Sequence, residues 1–161
     1  MKKFQNNKKL IETCSWILLN LAETNTFSRD KLAECGGFEV IVTAMRNFQD
    51  HHYIQHYGCR ALVHLCRSNA SKQGIRVWEA GACEQVVKAL KLFGKNPDVQ
   101  QYGCMAAFSL ALKSKVNIES LLDCGAFDFI KKTMNNFEEG SVVNLYGAKA
   151  ALLLADPIKS A

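Results

Sequence analysis

The residues best equipped for chemistry crowd into one stretch of this chain: His52, His56, Cys59 and His64. Two imidazoles four residues apart on a helix share a face and can hold one zinc ion between them. A four-ligand site needs convergence, and these four side chains spread over about three helical turns. His56 and Cys59, one turn apart, have the spacing of a base beside a thiol nucleophile. Nothing supports either chemistry: the sequence has no GxxxxGK phosphate loop, no GxSxG elbow and no HExxH pair. The expectation is a chain with no metal, no cofactor, no catalytic residue and no enzyme activity. Lys88, Lys91 and Lys95 form the other chemical candidate, with Arg60, Arg67, Lys113 and Lys115 as possible additions. Phosphate contact needs such charges on one continuous face. The spacing of the three lysines gives a solvated helix face, and nucleic acid is disfavoured.

The elements that must position these residues follow from composition and period. The chain has 161 residues, 48% of them hydrophobic, with only two prolines and a formal charge of +5. That composition excludes disorder and predicts a folded, helix-rich protein. Lys2, Lys3, Lys8 and Lys9 make a basic N-terminal cluster that reads as a solvated end rather than a targeting signal. Glu12 and Asn20 interrupt the apolar run around Trp16-Ile17-Leu18-Leu19, so residues 8–22 are expected to be structure, not a signal peptide. No apolar run approaches the ~20 residues that span a membrane. The seven cysteines are odd in number and evenly spread, with Cys59 matching Cys104 and Cys35 matching Cys124. They are expected to be small buried thiols in reduced form, which places the chain in the cytoplasm with the nucleus left open. In that compartment the acceptor sequence Asn69-Ala70-Ser71 carries no weight.

Three landmarks set the period. Tyr57-Gly58-Cys59, Tyr102-Gly103-Cys104 and Tyr146-Gly147-Ala148 recur 45 and 44 residues apart. Glu34-Cys35-Gly36-Gly37, Glu79-Ala80-Gly81-Ala82 and Asp123-Cys124-Gly125-Ala126 align at the same spacing. An apolar ladder of helical period follows each: Phe38, Ile41, Met45 and Phe48; Cys83, Val86, Leu90 and Phe93; Phe127, Ile130, Met134 and Phe137. Leu32, Val77 and Leu121 anchor a shorter helix before each turn, which the glycine ends in the left-handed conformation. A longer closing helix carries the tyrosine landmark, and Asn96-Pro97 makes a capped start for one of them. Glycine in mid-helix costs about 1 kcal/mol against alanine, so Gly58, Gly103 and Gly147 predict a neighbouring helix too close to admit a side chain.

A period of this size marks a stack of supersecondary units. The units are residues 24–67, 68–112 and 113–155, each a short, a medium and a long helix. Residues 8–23 supply one leading closing helix and 156–161 a tail, all in a single domain spanning 1–161. The acidic-x-Gly-Ala turn, with the closing-helix pattern seen in Val99-Gln100-Gln101-Tyr102 and Trp16-Ile17-Leu18-Leu19-Asn20-Leu21, resembles the armadillo repeat. The resemblance covers roughly residues 8–155. It implies an all-α, right-handed α-solenoid whose closing helices line a concave groove for extended peptides or partner segments. HEAT repeats lack the glycine turn and have two helices per unit.

On that resemblance the partner-binding groove is expected to carry Trp16 with Asn20, Arg60 with His64, Met105 with Ser109, and Lys149, with His56 and Gln101 one turn earlier. The tryptophan–asparagine pair resembles the peptide-binding ladder of the importin branch, but it occurs once and is lost in every later unit, which argues against an import receptor. The implied role is a non-enzymatic scaffold or adaptor for a protein or peptide, with no small-molecule substrate. The alternative is a structural subunit of a large assembly that uses its ends and convex face. Trp16, Ile17, Leu18 and Leu19 at one end and Leu152-Leu153-Leu154 before Asp156-Pro157 at the other predict ends covered by a partner or by end-to-end self-association.

Overall fold

The structure, a computed structural model, describes residues 7–67, 76–112 and 114–155. Lys2, Lys3, Lys113, the Asn69–Ser71 acceptor and the 156–161 tail lie outside the described residues. The described residues contain helices and no strand. A leading helix, α1 (Lys8–Thr24), precedes α2 (Thr26–Glu34), α3 (Gly37–Asn47) and α4 (His52–Leu65). A helical turn at 76–79 leads into α5 (Ala82–Leu92) and α6 (Pro97–Ala111). The last three are α7 (Lys115–Asp123), α8 (Ala126–Met134) and α9 (Val142–Ala155).

The turns form as the glycines require. Gly36, Gly81 and Gly125 sit at φ of 87°, 79° and 75°, each capping the start of a medium helix. A residue with a Cβ is strained there, so the reversal from short to medium helix depends on the glycine. Asn25 caps α2 by accepting from the Ser28 N–H at 2.8 Å, and Asn96 caps α6 by accepting from Val99 at 3.1 Å.

Phe38, Ile41, Met45 and Phe48 are all buried, as are Cys83, Val86 and Leu90. Phe93 and, in the last unit, Phe127, Met134 and Phe137 are only partly covered, while Ile130 is fully buried. The mid-helix glycines are sites of close approach. A Cβ on Gly58 would lie 2.5 Å from Met45, one on Gly103 2.5 Å from Leu90, and one on Gly147 2.8 Å from Met134. The same rung of each medium helix thus presses into the same notch of each closing helix.

A second device recurs three residues before each notch. Gln55 Nε2 donates to the carbonyls of Met45 and Phe48, and Gln100 Nε2 to those of Leu90 and Phe93. Asn144 Nδ2 donates to Phe137 and Glu138. Each amide satisfies carbonyls left open at the end of the medium helix or just beyond it. Between units, Arg46 donates to the Ala80 carbonyl at 3.1 Å and Lys91 to the Cys124 carbonyl at 2.8 Å. The cysteines are free thiols. Cys59, Cys83 and Cys104 are buried as expected, but Cys35 is exposed and Cys124 half-covered. Cys35 caps the end of α2 just before the left-handed glycine, where the chain swings through solvent.

Candidate partner-binding face

Four closing helices pack side by side in chain order, α1 on α4, α4 on α6 and α6 on α9, the most extensive helix pairings among the described residues. The short and medium helices cover one side of this row. The residues expected to bind a partner are spread over its other side and divide into three groups.

The central group converges on Glu23 and Tyr102. Arg60 Nη2 bridges both Glu23 carboxylate oxygens at 2.8 and 2.9 Å. The guanidinium also lies 5.2 Å from the Tyr102 ring centre, a cation–π placement that links α1, α4 and α6. His64 Nε2 stands 3.6 Å from the same carboxylate. His56 stacks on Tyr102 with centroids 5.0 Å apart and lies 5.1 Å from Tyr57. Gln101 is half-buried beside Tyr102 in sequence.

The second group lies further along. Met105 is half-buried against the core, and the Ser109 hydroxyl donates to the Met105 carbonyl at 2.8 Å. Lys149 Nζ hangs 4.9 Å over the Tyr146 ring and 5.9 Å from Phe108, and Phe108 meets Tyr146 edge-on. The third group is Trp16 with Asn20, both exposed on α1. The Asn20 amide donates to the Trp16 carbonyl at 2.9 Å, within its own helix turn.

Sequence reasoning missed the hub. Glu23 lies 37 residues from Arg60, so no local pattern joins them. Tyr57, Tyr102 and Tyr146 are more than landmarks of the period: a half-buried aromatic one residue before each notch glycine marks a side wall of the same row.

Electrostatics hold this face in one charge state near neutrality. The hydrogen bond from Arg60 holds the Glu23 carboxyl below its ordinary range against the opposing effect of burial. Burial pushes the His56 imidazole below its ordinary value, outweighing the pull of Asp98. Burial likewise lowers His64, more than Glu23 raises it. Both histidines are therefore neutral at pH 7. The Cys59 thiol, fully enclosed and next to Cys104, is pushed up to about 12.

The histidine and cysteine stretch does not converge: His56 turns to Tyr102, His64 to Glu23, and Cys59 into the core. Among the described residues no group of three or more His, Cys, Asp or Glu could hold a metal ion. The lysine trio is partly engaged, with Lys88 paired to Glu84 at 2.8 Å and Lys91 bound to Cys124. No described helix is long and apolar enough to cross a membrane.

The match to known families follows the same frame. Residues 7–161 match the family model described as LRRK2 ARM repeat. The chain belongs to this armadillo-repeat family. Solved armadillo structures share its fold. Designed armadillo repeat protein YIII(Dq)4CqI superposes with a TM-score of 0.78 at 20% identity, over 94% of this chain and 62% of that one. Designed armadillo repeat protein YIII(Dq.V1)4CPAF, solved in complex with peptide (KR)4, gives 0.74 at 19% identity, over 92% and 60%. An engineered protein from the Northeast Structural Genomics Consortium gives 0.80 at 21%, over 96% of this chain and 36% of that one. This armadillo chain thus spans less than two thirds of the solved proteins it matches. Direct comparison with curated proteins finds no match.

Proposed function

We propose that this armadillo chain is a non-enzymatic scaffold that holds an extended segment of a partner protein along the concave groove lined by its closing helices. The observation that carries the reading is the Glu23–Arg60–Tyr102–His56 arrangement, which lays charge, hydrogen-bonding groups and ring faces across three neighbouring closing helices, α1, α4 and α6. Tyrosine and arginine are the side chains that most often anchor binding energy at protein interfaces. That a designed armadillo neighbour was solved in complex with peptide (KR)4 supports a peptide as the kind of partner.

The surface is preformed. Arg60 is already tied to Glu23 and His56 already stacked, so binding costs mainly the ordering of the incoming segment. Trp16, Asn20, Gln101, Met105, Ser109, His64 and Lys149 extend the contact surface to either side of the hub. We read residues 24–67, 68–112 and 113–155 as successive units of one domain, and the setting as cytoplasmic.

Binding to an array of immobilised random peptides, compared between the wild-type chain and Arg60→Ala, His64→Ala and Met105→Ala, tests the proposal. Selected peptides should lose at least tenfold in affinity with Arg60→Ala, a hot-spot loss of about 1.4 kcal/mol or more. Peptides that bind all four proteins equally would transfer the role to the ends or the convex side, as expected of a subunit in a larger assembly.

A further inference from the structure

The hub of the groove carries a charge imbalance that its own contacts do not remove. Arg60 and His64 stand four residues apart on one face of α4, and Arg67, just past the helix end, continues that face. The Arg67 N–H donates to the His64 carbonyl at 3.1 Å, while its side chain is exposed. From α2, Arg29 reaches the same corner: its Nε donates at 2.9 Å to the carbonyl of Ala22, the residue before Glu23. Burial lowers the His64 imidazole and Glu23 opposes it, but the charges of Arg29, Arg67 and Arg60 each lower it further. All three guanidiniums therefore act on one ring, at a corner formed by α1, α2 and α4 inside the stack.

One carboxylate stands against them. Glu23 pairs with Arg60 at 2.8 Å and lies 3.6 Å from His64. Among the described residues Arg29 and Arg67 form no ion pair, which leaves the Nη groups of Arg29 and the whole Arg67 guanidinium without a protein acceptor. The stretch that follows Arg67, residues 68–75, adds Lys72 and no acidic residue. With His64 neutral at pH 7, three positive charges face one negative and leave an excess of two.

We propose, resting on the groove reading above, that the partner segment carries a phosphorylated serine or threonine whose phosphate seats among Arg29, Arg60 and Arg67. A phosphate monoester brings about −1.5 to −2 charges near neutrality and three acceptor oxygens, which matches this excess. Guanidinium groups bind such oxygens through paired N–H donors. Glu23 keeps Arg60 in place and turns away singly charged, extended polyanions, because it sets a negative charge in the middle of the corner. A nucleic-acid backbone, with one charge per phosphate, fits it less well than one doubly charged group.

Two measurements test this. The isotope-labelled chain is titrated with inorganic phosphate at pH 7 and constant ionic strength, and its magnetic resonance signals are followed. Saturable shifts are expected at the Nε–H signals of Arg29, Arg60 and Arg67 and at the His64 ring, and their loss in Arg67→Glu. Arg67 is exposed, so this variant should fold with unchanged helicity; Arg29→Gln serves as the second variant. The peptide array described above is then repeated with serine, glutamate or phosphoserine at each position of the selected sequences. At one position phosphoserine should bind about tenfold or more tightly than serine, and Arg67→Glu should abolish that gain. No saturable shift with phosphate would overturn the proposal. So would glutamate binding as well as phosphoserine, a gain that survives in Arg67→Glu, or a single-stranded oligonucleotide that outcompetes every phosphopeptide. Peptides that depend on Arg60 but show no preference for phosphoserine would overturn it and leave the groove reading standing. A chain that takes up phosphate at the corner but binds no peptide would remove the groove reading, and with it the peptide as the source of the phosphate.

Discussion

Replacing Gly103 with alanine should destabilise the protein, although the same change in an open helix stabilises it by about 1 kcal/mol. The sign is set by Leu90. A Cβ built on Gly103 falls 2.5 Å from Leu90 Cδ2 and 2.8 Å from Cγ, about 1 Å inside the normal separation of carbon atoms. Leu90 is fully buried, and its Cγ is the branch point, so no terminal rotation clears the contact. Overpacking of this kind costs about 1–3 kcal/mol. With the propensity gain subtracted, the net loss is up to about 2 kcal/mol, which lowers Tm by up to about 8 °C in a chain of this size. Gly58→Ala meets the unbranched, pliable side chain of Met45 and should cost less; Gly147→Ala meets the half-buried Met134 at 2.8 Å and should cost least. Urea titration followed by helical circular dichroism gives the three values. A double-mutant cycle completes the test: Leu90→Ala alone costs about 2–5 kcal/mol, and adding Gly103→Ala to it should cost nothing further, because the obstruction is gone. Stabilisation by Gly103→Ala in the wild-type background would refute the close-approach reading of all three glycines.

Gln100→Leu removes the donor shared by the Leu90 and Phe93 carbonyls and should cost about 1–3 kcal/mol, measured by the same titration. With a thiol reagent under native conditions, the exposed Cys14 and Cys35 should react first, whereas Cys59, Cys83 and Cys104, each pushed up to about 12 by burial, should react only on unfolding. His56 and His64 have folded pKa values below the unfolded ~6.5, so the unfolded state takes up protons first; stability should be full above that pH and fall as pH drops through the window beneath it. Urea midpoints between pH 7.5 and about 5 check this, and the double variant His56→Gln, His64→Gln should flatten the slope.

The fold was legible because its signals are local and recur. A left-handed glycine, an apolar ladder and a notch glycine each occupy a few residues, and three copies in phase leave little choice of topology. The amide clips were equally legible but went unused: Gln55, Gln100 and Asn144 each stand three residues before a notch glycine. Cys35 was misplaced because its match to Cys124 fixed its register but not its depth, and the end of a short helix lies at the rim of the turn. The site was harder. Arg60 and His64 could be placed on one face by spacing, but what organises them is Glu23 on another helix, and that pairing depends on how closing helices are rotated against one another. Trp16 and Asn20 sit exposed on α1, and the Asn20 amide is drawn to its own helix backbone.

The cation at the end of the first two medium helices, α3 and α5, has an implication for chain length. Arg46 and Lys91 occupy equivalent positions, and each reaches forward to a carbonyl in the next turn. The notch and the amide clip, by contrast, are complete inside one unit. Excising residues 68–112 would bring Arg46 opposite the Cys124 carbonyl, the acceptor Lys91 now uses, so the cut ends present compatible rungs. Evolution or an engineer could lengthen or shorten such a protein by whole courses while rewriting almost nothing on either side of the splice.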